Sequence, residues 1–194
     1  MPVLRIIAGA AKGRQLATPE GRRTRPTSER AREALFSAVE SEIGPWTGRR
    51  FLDLYCGSGA VGLEAVSRGA AEVHLVESDA KAAAVVRRNL QILGAVAADA
   101  HLNVMKASVY ASRASGAFDV VFADPPYDTA DDALAEVLLC LRRVGAIESG
   151  TLVVIERSSH DPSWSWPAGI EAISNRTYGE ARFWYGRGTG EDAA

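Results

Sequence analysis

The sequence predicts an α/β fold in which helices cover both faces of a mostly parallel sheet. From Phe51 onward, short apolar runs suited to buried strands alternate with segments whose apolar residues recur at helical spacing, which is typical of βαβ units. A glycine-rich segment directly follows the first strand, where α/β folds bind their ligands. The 194 residues suit one compact domain with a core of ordinary size.

The N-terminal residues predict a β-hairpin that precedes the sheet. Residues 3–8 are apolar and β-branched, residues 9–13 supply a glycine-containing turn, and residues 14–18 return antiparallel. A basic loop follows and ends at Pro26, after which Thr27 or Ser28 can cap a helix. Apolar side chains at 31, 34, 35, 38 and 39 follow one face of that helix, which ends at Gly44.

Seven strands are predicted for the sheet, and the last two form a closing hairpin. The strands span residues 51–55, 73–77, 101–106, 118–123, 151–156, 170–176 and 181–186. The helices between them span residues 60–68, 79–93 and 130–144. We therefore divide the chain into a basic arm (1–26), a main domain (27–188) and a disordered tail (189–194).

Composition predicts a cytoplasmic protein that does not enter a membrane. Cys56 and Cys140 lie far apart inside apolar patterns, which suits a reducing compartment better than a disulfide framework. No apolar run approaches the roughly 18 residues needed to cross a bilayer, and the N-terminus lacks the apolar segment of a secretory signal.

Charge is distributed unevenly along the chain. Residues 1–32 carry eight basic and two acidic side chains, whereas the net charge of the whole chain is −2. A basic arm on an acidic body favours a local contact with a polyanion, because phosphate neutralisation requires clustered Lys and Arg. A solvated N-terminal surface is the alternative.

The glycine-rich segment predicts a nucleoside cofactor. Residues 53–62 read D-L-Y-C-G-S-G-A-V-G and contain the spacing G-x-G-x-x-G. Gly57 and Gly59 allow a tight turn close to a ligand, and Gly62 allows the following helix to pack closely on the strand. Glu77 ends the next strand twenty positions after Gly57, where a ribose-binding carboxylate is expected.

Asp53 favours S-adenosylmethionine over a dinucleotide as that cofactor. A carboxylate close to the helix N-terminus would repel a pyrophosphate, whereas it attracts the ammonium group of a methionine moiety, directly or through water. A structural hydrogen bond between Asp53 and the loop backbone is the alternative. Cys56 is interpreted as a small buried side chain in a crowded turn.

The segment Asp124-Pro125-Pro126-Tyr127 follows an apolar strand and predicts an amine-binding turn. Two consecutive prolines stiffen the backbone and remove two donors, which leaves the preceding carbonyl groups available to accept from a ligand. An ordinary turn is the alternative, because Asp and Pro are common turn residues.

Together, residues 53–59, Glu77 and residues 124–127 resemble the class I S-adenosylmethionine-dependent methyltransferases that modify exocyclic amines. More narrowly, a set of N-terminal segments resembles the RsmD family of bacterial 16S ribosomal RNA guanine-N2 methyltransferases: residues 5–9 (R-I-I-A-G), 12–14 (K-G-R) and 25–27 (R-P-T), followed by Arg30 and residues 32–36 (R-E-A-L-F). The resemblance implies a Rossmann-like sheet of seven strands with the last strand antiparallel, the cofactor at the carboxyl ends of the strands, and a basic hairpin for RNA.

The resemblance also implies the site residues. The cofactor is expected to contact Thr27, Asp53, Tyr55, Cys56, Gly57, Ser58, Gly59, Glu77, Ser78, Ala107, Ser108 and Asp124. RNA is expected to contact Arg5, Lys12, Arg14, Arg22, Arg23, Arg25 and Arg30. The implied substrate is one loop guanine of 16S rRNA, free or in the assembled small subunit, and the enzyme is expected to be a monomer without a metal.

The resemblance gives the turn 124–127 a catalytic role. Asp124 and the Pro125 carbonyl are expected to accept the two N–H groups of the amine, Pro126 to stiffen this clamp, and Tyr127 to stack on the base. The same clamp would suit adenine N6 or cytosine N4 of DNA, and a non-catalytic RNA-binding ribosome-assembly factor could keep the same fold. All three functions stay open at this stage.

Other reactive or aromatic side chains are interpreted as structural. Neither cysteine lies in a loop of its own, as a nucleophile for cytosine C5 methylation would. The histidines at 74, 101 and 160 have no ligand spacing along the chain, so no metal is predicted. Trp164 and Trp166 are predicted to cover the edge of the sheet rather than to stack on RNA.

Overall fold

One seven-stranded sheet lies at the centre of the computed structural model, which describes residues 4–18 and 28–190. The strands are β1 (Arg50–Leu54), β2 (Glu72–Glu77), β3 (Ala100–Val104), β4 (Val120–Ala123), β5 (Leu152–Ser158), β6 (Ile170–Tyr178) and β7 (Ala181–Gly188). Their order across the sheet is β3-β2-β1-β4-β5-β7-β6. Among these described strands, β7 alone runs in the direction opposite to the other six, which confirms the predicted topology.

In the described part of the chain, five α-helices cover the two faces of this sheet. They are α1 (Glu29–Ile43), α2 (Ala60–Arg68), α3 (Ala80–Leu93), α4 (Ala107–Ala111) and α5 (Asp131–Arg143). Helices α1, α2 and α3 share one apolar cluster with one face, whereas α4 and α5 pack on the other. This two-faced core explains why the inner strands are apolar throughout rather than alternating.

Several observed element ends differ from the predicted ends by one or two residues. β3 ends at Val104 instead of residue 106, and the five residues of α4 follow where no helix was predicted. β6 and β7 extend by two residues each, because they pair with each other along their whole length. The helix starts follow capping chemistry, since Ser28 accepts from the Ala31 N–H at the start of α1 and Asp79 accepts from the Ala82 N–H at the start of α3.

The N-terminal hairpin packs against α2. Its antiparallel arrangement is held by backbone bonds from Ile6 N to Arg14 O (3.0 Å) and from Leu16 N to Leu4 O (2.8 Å). Glu64 of α2 is fully buried and accepts from two hairpin amides, Ile7 N at 2.7 Å and Ala8 N at 3.0 Å. Leu4, Ile6 and Leu16 are buried in the same core as α1 and α2. The hairpin is therefore continuous with the core of the protein.

One predicted boundary lies outside the described residues, since the division between arm and domain falls within residues 19–27. Of the predicted tail (189–194), residues 191–194 also lie outside the described residues, whereas Thr189 is described and donates its N–H to Gly169 O at 3.0 Å. Among the helices of the described ranges, none combines the length and the apolar character that crossing a membrane requires.

Candidate active site

The glycine-rich loop joins β1 to α2 at the carboxyl edge of the sheet. Tyr55 begins the loop in the left-handed region (φ 62°), which is uncommon for a side chain of this size. Gly59 (φ 80°) precedes α2, and Gly57 (φ 57°) faces open space. Gly62 has no room for a Cβ atom, because the Leu75 and Asp53 side chains occupy that space. This observation confirms the close packing of helix on strand that the spacing predicts.

Two carboxylates hold the backbone of this loop. Asp53 is buried, and its Oδ2 accepts from Gly62 N at 2.8 Å. Glu77 ends β2 and accepts from Gly57 N at 2.9 Å and from Asp79 N at 2.7 Å. Both carboxylates therefore bind backbone donors around the turn in which a ligand would lie.

A third carboxylate, that of Asp124, approaches the same region. Burial raises the pKa of Asp53 well above its usual value, the hydrogen bond from Gly62 opposes this, and the negative charges of Asp124 and Glu77 raise the pKa further. The negative charges of Asp124 and Glu77 therefore both act on the Asp53 carboxyl. Such a cluster favours a positively charged ligand, because a cation relieves the repulsion.

Asp124 directly follows β4. The residue is exposed to solvent, but many protein atoms lie around its carboxyl group. Loss of hydration raises the pKa of Asp124 to about 7, and the positive charge of Arg157 acts in the opposite direction. Pro125 is buried, and no backbone N–H of the described residues bonds its carbonyl oxygen. Tyr127 is 83% exposed, which is unusual for a large aromatic side chain in a folded protein. The turn thus presents acceptors and one exposed aromatic ring.

The remaining predicted cofactor residues lie along the carboxyl edge with different exposures. Ser58 and the exposed Ser78 follow β1 and β2, and Ala107 and Ser108 begin α4 just beyond β3. Cys56 is buried, and burial raises the pKa of its thiol well above the usual value. A protonated, enclosed thiol is a poor nucleophile, in agreement with its interpretation as a packing residue. Thr27 lies outside the described residues.

Comparison with known proteins assigns the chain to a family. The model of the family described as Conserved hypothetical protein 95 matches residues 4–187. The Escherichia coli protein Ribosomal RNA small subunit methyltransferase D is 30% identical over 180 residues, which cover 93% of this chain and 87% of that protein. The chain belongs to the RsmD family.

Two further similarities cover nearly the whole of this RsmD-family chain. The protein YlbH of Bacillus subtilis is 34% identical over 183 residues, covering 91% of this chain and 94% of YlbH. The solved structure of yhhF from Escherichia coli superposes with a TM-score of 0.81 at 28% identity, covering 96% of this chain and 99% of that one. The fold is therefore shared over nearly the whole chain.

The predicted RNA-contacting residues of this RsmD-family chain fall into three groups. Lys12 and Arg30 are exposed. Arg5 pairs with Glu29 at 2.9 Å, and the Arg14 guanidinium donates to the carbonyl groups of Ile92 and Leu93 at the end of α3. The third group lies outside the described residues and comprises Arg22, Arg23 and Arg25. Arg14 is thus a helix-capping residue, a role that its sequence neighbours do not indicate.

A cavity that was not predicted adjoins Asp124 on the side of β5. Its volume is about 230 Å³, and Glu156 and Arg157 of β5 line it together with Asp124, Pro125 and Tyr127. The N-terminus of α1 and the β6–β7 turn close its outer side. The sequence feature that could have indicated this cavity is the pair Glu156-Arg157 near the end of an otherwise apolar strand, because charged residues are rare in buried strands.

Two histidines that are far apart in sequence are neighbours in the sheet. His74 and His101 are register partners, and their ligand atoms lie within 4.8 Å of one another and of a Glu72 oxygen. His74 already uses both ring nitrogens, towards Glu72 (2.6 Å) and the Tyr110 hydroxyl (2.6 Å). The positions of these histidines along the chain therefore gave no sign that they form a cluster. That the protein holds no metal stays a prediction.

The two tryptophans pack as predicted. Trp164 is buried and meets Trp166 nearly at right angles, with 5.9 Å between ring centroids. Trp166 also lies against Gly186 of β7, where a Cβ atom would collide with the indole. These contacts favour a role in covering the sheet.

Proposed function

We propose that this protein transfers a methyl group from S-adenosylmethionine to the N2 amine of one guanine in the 16S rRNA of the small ribosomal subunit. The observation that carries the proposal is the convergence of Asp53, Glu77 and Asp124 around a glycine loop, next to the acceptor-rich turn 124–127. Its relative in Escherichia coli, named Ribosomal RNA small subunit methyltransferase D, supports ribosomal RNA as the substrate class.

The site residues fit the chemistry of S-adenosylmethionine. The negative charges of Glu77 and Asp124 around Asp53 favour a ligand that carries ammonium and sulfonium charges, and the open space beside Gly57 admits a ligand close to the backbone. Glu77 would hold the ribose hydroxyls, while Asp53 would attract the ammonium group through space or water. When bound, this cofactor supplies an electrophilic methyl group on sulfur.

Asp124 and Pro125 would activate the amine. The lone pair of an exocyclic amine is delocalised into the base, so the amine is a weak nucleophile. If the Asp124 carboxylate and the Pro125 carbonyl each accept one N–H, the nitrogen approaches tetrahedral geometry and its lone pair becomes available. The N2–CH₃ bond then forms as the carbon–sulfur bond breaks, sulfur keeps the electron pair, and the nitrogen releases one proton.

The surrounding residues would hold the base in place. Tyr127 is exposed beside the clamp and can stack on a base that has left its helix or loop. Pro126 limits movement of the turn, and its carbonyl accepts from Thr129 N at 2.9 Å. The pKa of Asp124, about 7, suits a group that accepts the released proton and returns it to solvent near neutral pH.

Methyl transfer can be tested on three substrates in parallel. The protein is incubated with methyl-labelled S-adenosylmethionine and unmodified small subunits, free 16S rRNA or duplex DNA, and the products are digested to nucleosides. We expect label in N2-methylguanosine from one or both RNA substrates. Label in DNA adenine or cytosine would establish the DNA alternative, and no label in any substrate would favour a non-catalytic assembly factor.

A further inference from the structure

The turn 124–127 belongs to a segment, residues 124–130, that joins β4 to α5, and the two ends of this segment are held differently. At the first end, Asp124 continues directly from β4, whose residues pair with β1 on one side and with β5 on the other. At the second end, Ala130 occupies the N-cap position of α5 and has no polar side chain to offer the free amides of the helix. The start of α5 therefore needs another contact to fix it.

Arg157 of β5 supplies that contact. Its guanidinium donates to Oδ1 of Asp131, the first residue of α5, at 2.7 Å, and the Arg157 side chain is only 7% exposed. Because side chains alternate along a strand, Arg157 lies on the same face as Ile155, which belongs to the apolar cluster that α4 and α5 share with the sheet. Asp124 lies on the opposite face. The ion pair thus connects α5 to the sheet behind the turn.

Packing holds the Arg157 side chain in place. The guanidinium carbon lies 5.8 Å from the centre of the Trp164 ring, and Trp164 is itself buried against Trp166. A planar guanidinium packs well on aromatic surfaces and presents its donors in a fixed fork. A donor immobilised in this way restricts the position of Asp131 more than a flexible side chain would.

We propose that Arg157 is a positioning residue for methyl transfer, which fixes the far end of the segment 124–130 by binding Asp131. The inference rests on the proposed function, in which Asp124 and the Pro125 carbonyl hold the amine. With one end of the segment continuing from β4 and the other tied to β5, both acceptors keep their positions relative to the cofactor loop. Arg157 acts through Asp131 and needs no contact with the base.

The charge of Arg157 has a second effect on the same turn. It opposes the rise in the pKa of Asp124 that loss of hydration causes. The other charged groups at this edge of the sheet are carboxylates, with Asp53 and Glu77 at the cofactor loop and Glu156 and Glu180 at the cavity. Removal of Arg157 should therefore raise the pKa of Asp124, so that a larger fraction is protonated at low pH and cannot accept an N–H.

Hydrogen exchange tests the anchoring contact without relying on activity. Asp131→Asn removes the ion pair, and Asp132→Asn is the matched control, because both residues are exposed acids in the first turn of α5. We expect amides of residues 128–136 to exchange about 3- to 10-fold faster in Asp131→Asn than in wild type, and at the wild-type rate in Asp132→Asn. Equal exchange in the two variants would overturn the inference.

Single-turnover methyl transfer then tests the positioning role. At saturating cofactor we expect Asp131→Asn to lower the rate by about 5- to 10-fold at every pH, with Asp132→Asn within about twofold of wild type. Arg157→Met should lower it by about 5-fold at pH 9 and about 50-fold at pH 6, because the pKa of Asp124 rises. Arg157→Lys should restore the pH dependence but only part of the rate, since it keeps the charge and loses the fork.

A double-mutant cycle shows whether the two residues act together. At pH 9 the variant with both Arg157→Met and Asp131→Asn should be no slower than Arg157→Met alone, whereas multiplied losses would show independent roles and contradict the inference. If wild type methylates RNA but Asp131→Asn behaves like its control, the inference fails and the methyltransferase function stands. If wild type transfers no methyl group, both proposals fail. If Arg157→Met does not fold, Asp131→Asn and its control decide the outcome.

Discussion

Asp124 combines two properties that rarely occur in one carboxylate. The residue is exposed at the cavity. Loss of hydration nevertheless raises its pKa to about 7, and the positive charge of Arg157 opposes that rise. An ionised carboxylate accepts an N–H bond better than a protonated one, so the charge of Arg157 supports the acceptor role of Asp124. The residue is therefore sensitive to both pH and ligand charge near neutrality.

Cofactor binding is expected to release protons. A cation stabilises the ionised form of Asp124 and lowers its pKa, so the affinity for S-adenosylmethionine should fall as the pH decreases below about 7. Calorimetry in buffers of different ionisation enthalpy measures the protons released. Asp124→Asn should reduce that release, whereas Asp128→Asn, on the exposed side of the turn, should not. Equal release from Asp124→Asn and wild type would assign the titration to another group.

Removal of the Asp124 carboxylate should affect turnover more than binding. We expect Asp124→Ala to lower the rate of methyl transfer by at least about 100-fold, because one of the two acceptors for the amine is lost. The dissociation constant of the cofactor should stay within about tenfold of wild type, since Asp53 and Glu77 remain. Single-turnover kinetics with saturating cofactor separates the two effects. A wild-type rate in this variant would contradict the clamp.

The N-terminal hairpin is held to α2 by hydrogen bonds from two side chains of that helix. Glu64, which is fully buried, binds two hairpin amides and also pairs with Arg68 at 2.9 Å, and Ser67 binds the hairpin at Ala11 N and at Ala8 O. Gly9 lies directly against the Ser67 backbone. This seam connects residues that are more than fifty positions apart, so the hairpin depends on the fold of the main domain.

Two glycines of the hairpin turn provide a matched test of the seam. Gly9 (φ 81°) and Gly13 (φ 82°) have nearly the same backbone conformation, but a Cβ atom at Gly9 would overlap the Ser67 backbone whereas nothing lies near Gly13. Gly13→Ala should cost about 1–2 kcal/mol of unfolding free energy. Gly9→Ala should cost about 1–3 kcal/mol more, because the hairpin must move. Urea denaturation measures both, and equal losses would exclude tight packing at Gly9.

At the scale of the whole molecule, the basic N-terminal region lies on an otherwise acidic chain. The structure limits how its contact with RNA can be tested, because deletion of the arm would also remove Leu4, Ile6 and Leu16 from the core. Replacement of exposed charges keeps the fold and is therefore the better experiment. Lys12 and Arg30 are suitable, since both side chains are exposed.

Neutral substitutions at Lys12 and Arg30 should weaken RNA binding and make it less dependent on salt. Each phosphate contact contributes about 0.7–0.9 to the slope of log affinity against log salt, so Lys12→Gln with Arg30→Gln should reduce the slope by about 1.5. Lys81→Gln, an exposed change on α3, is the control and should leave the slope unchanged. Filter binding at several salt concentrations provides the slopes. An unchanged slope in the double variant would exclude these two residues from the RNA contact.

Much of the site could be predicted because its determinants are local. The alternation of apolar runs predicts the strands, and the glycine spacing predicts a loop that Gly57, Gly59 and Gly62 then form. The short helix α4 was not predicted, because five residues carry too little periodicity to be recognised. The helix-capping role of Arg14 was also not predicted, since its partners in α3 lie about eighty residues away.

The sequence by itself determined the fold class, the cofactor loop and the rigid turn after β4, because hydrophobic period, glycine and proline act on neighbouring residues. Only the tertiary structure decided which side chains surround Asp124. Glu156 and Arg157 approach it because the sheet places β4 beside β5. The packing of the hairpin and the His74–His101 contact have the same origin, since pairing between distant segments depends on the order of strands and helices in space.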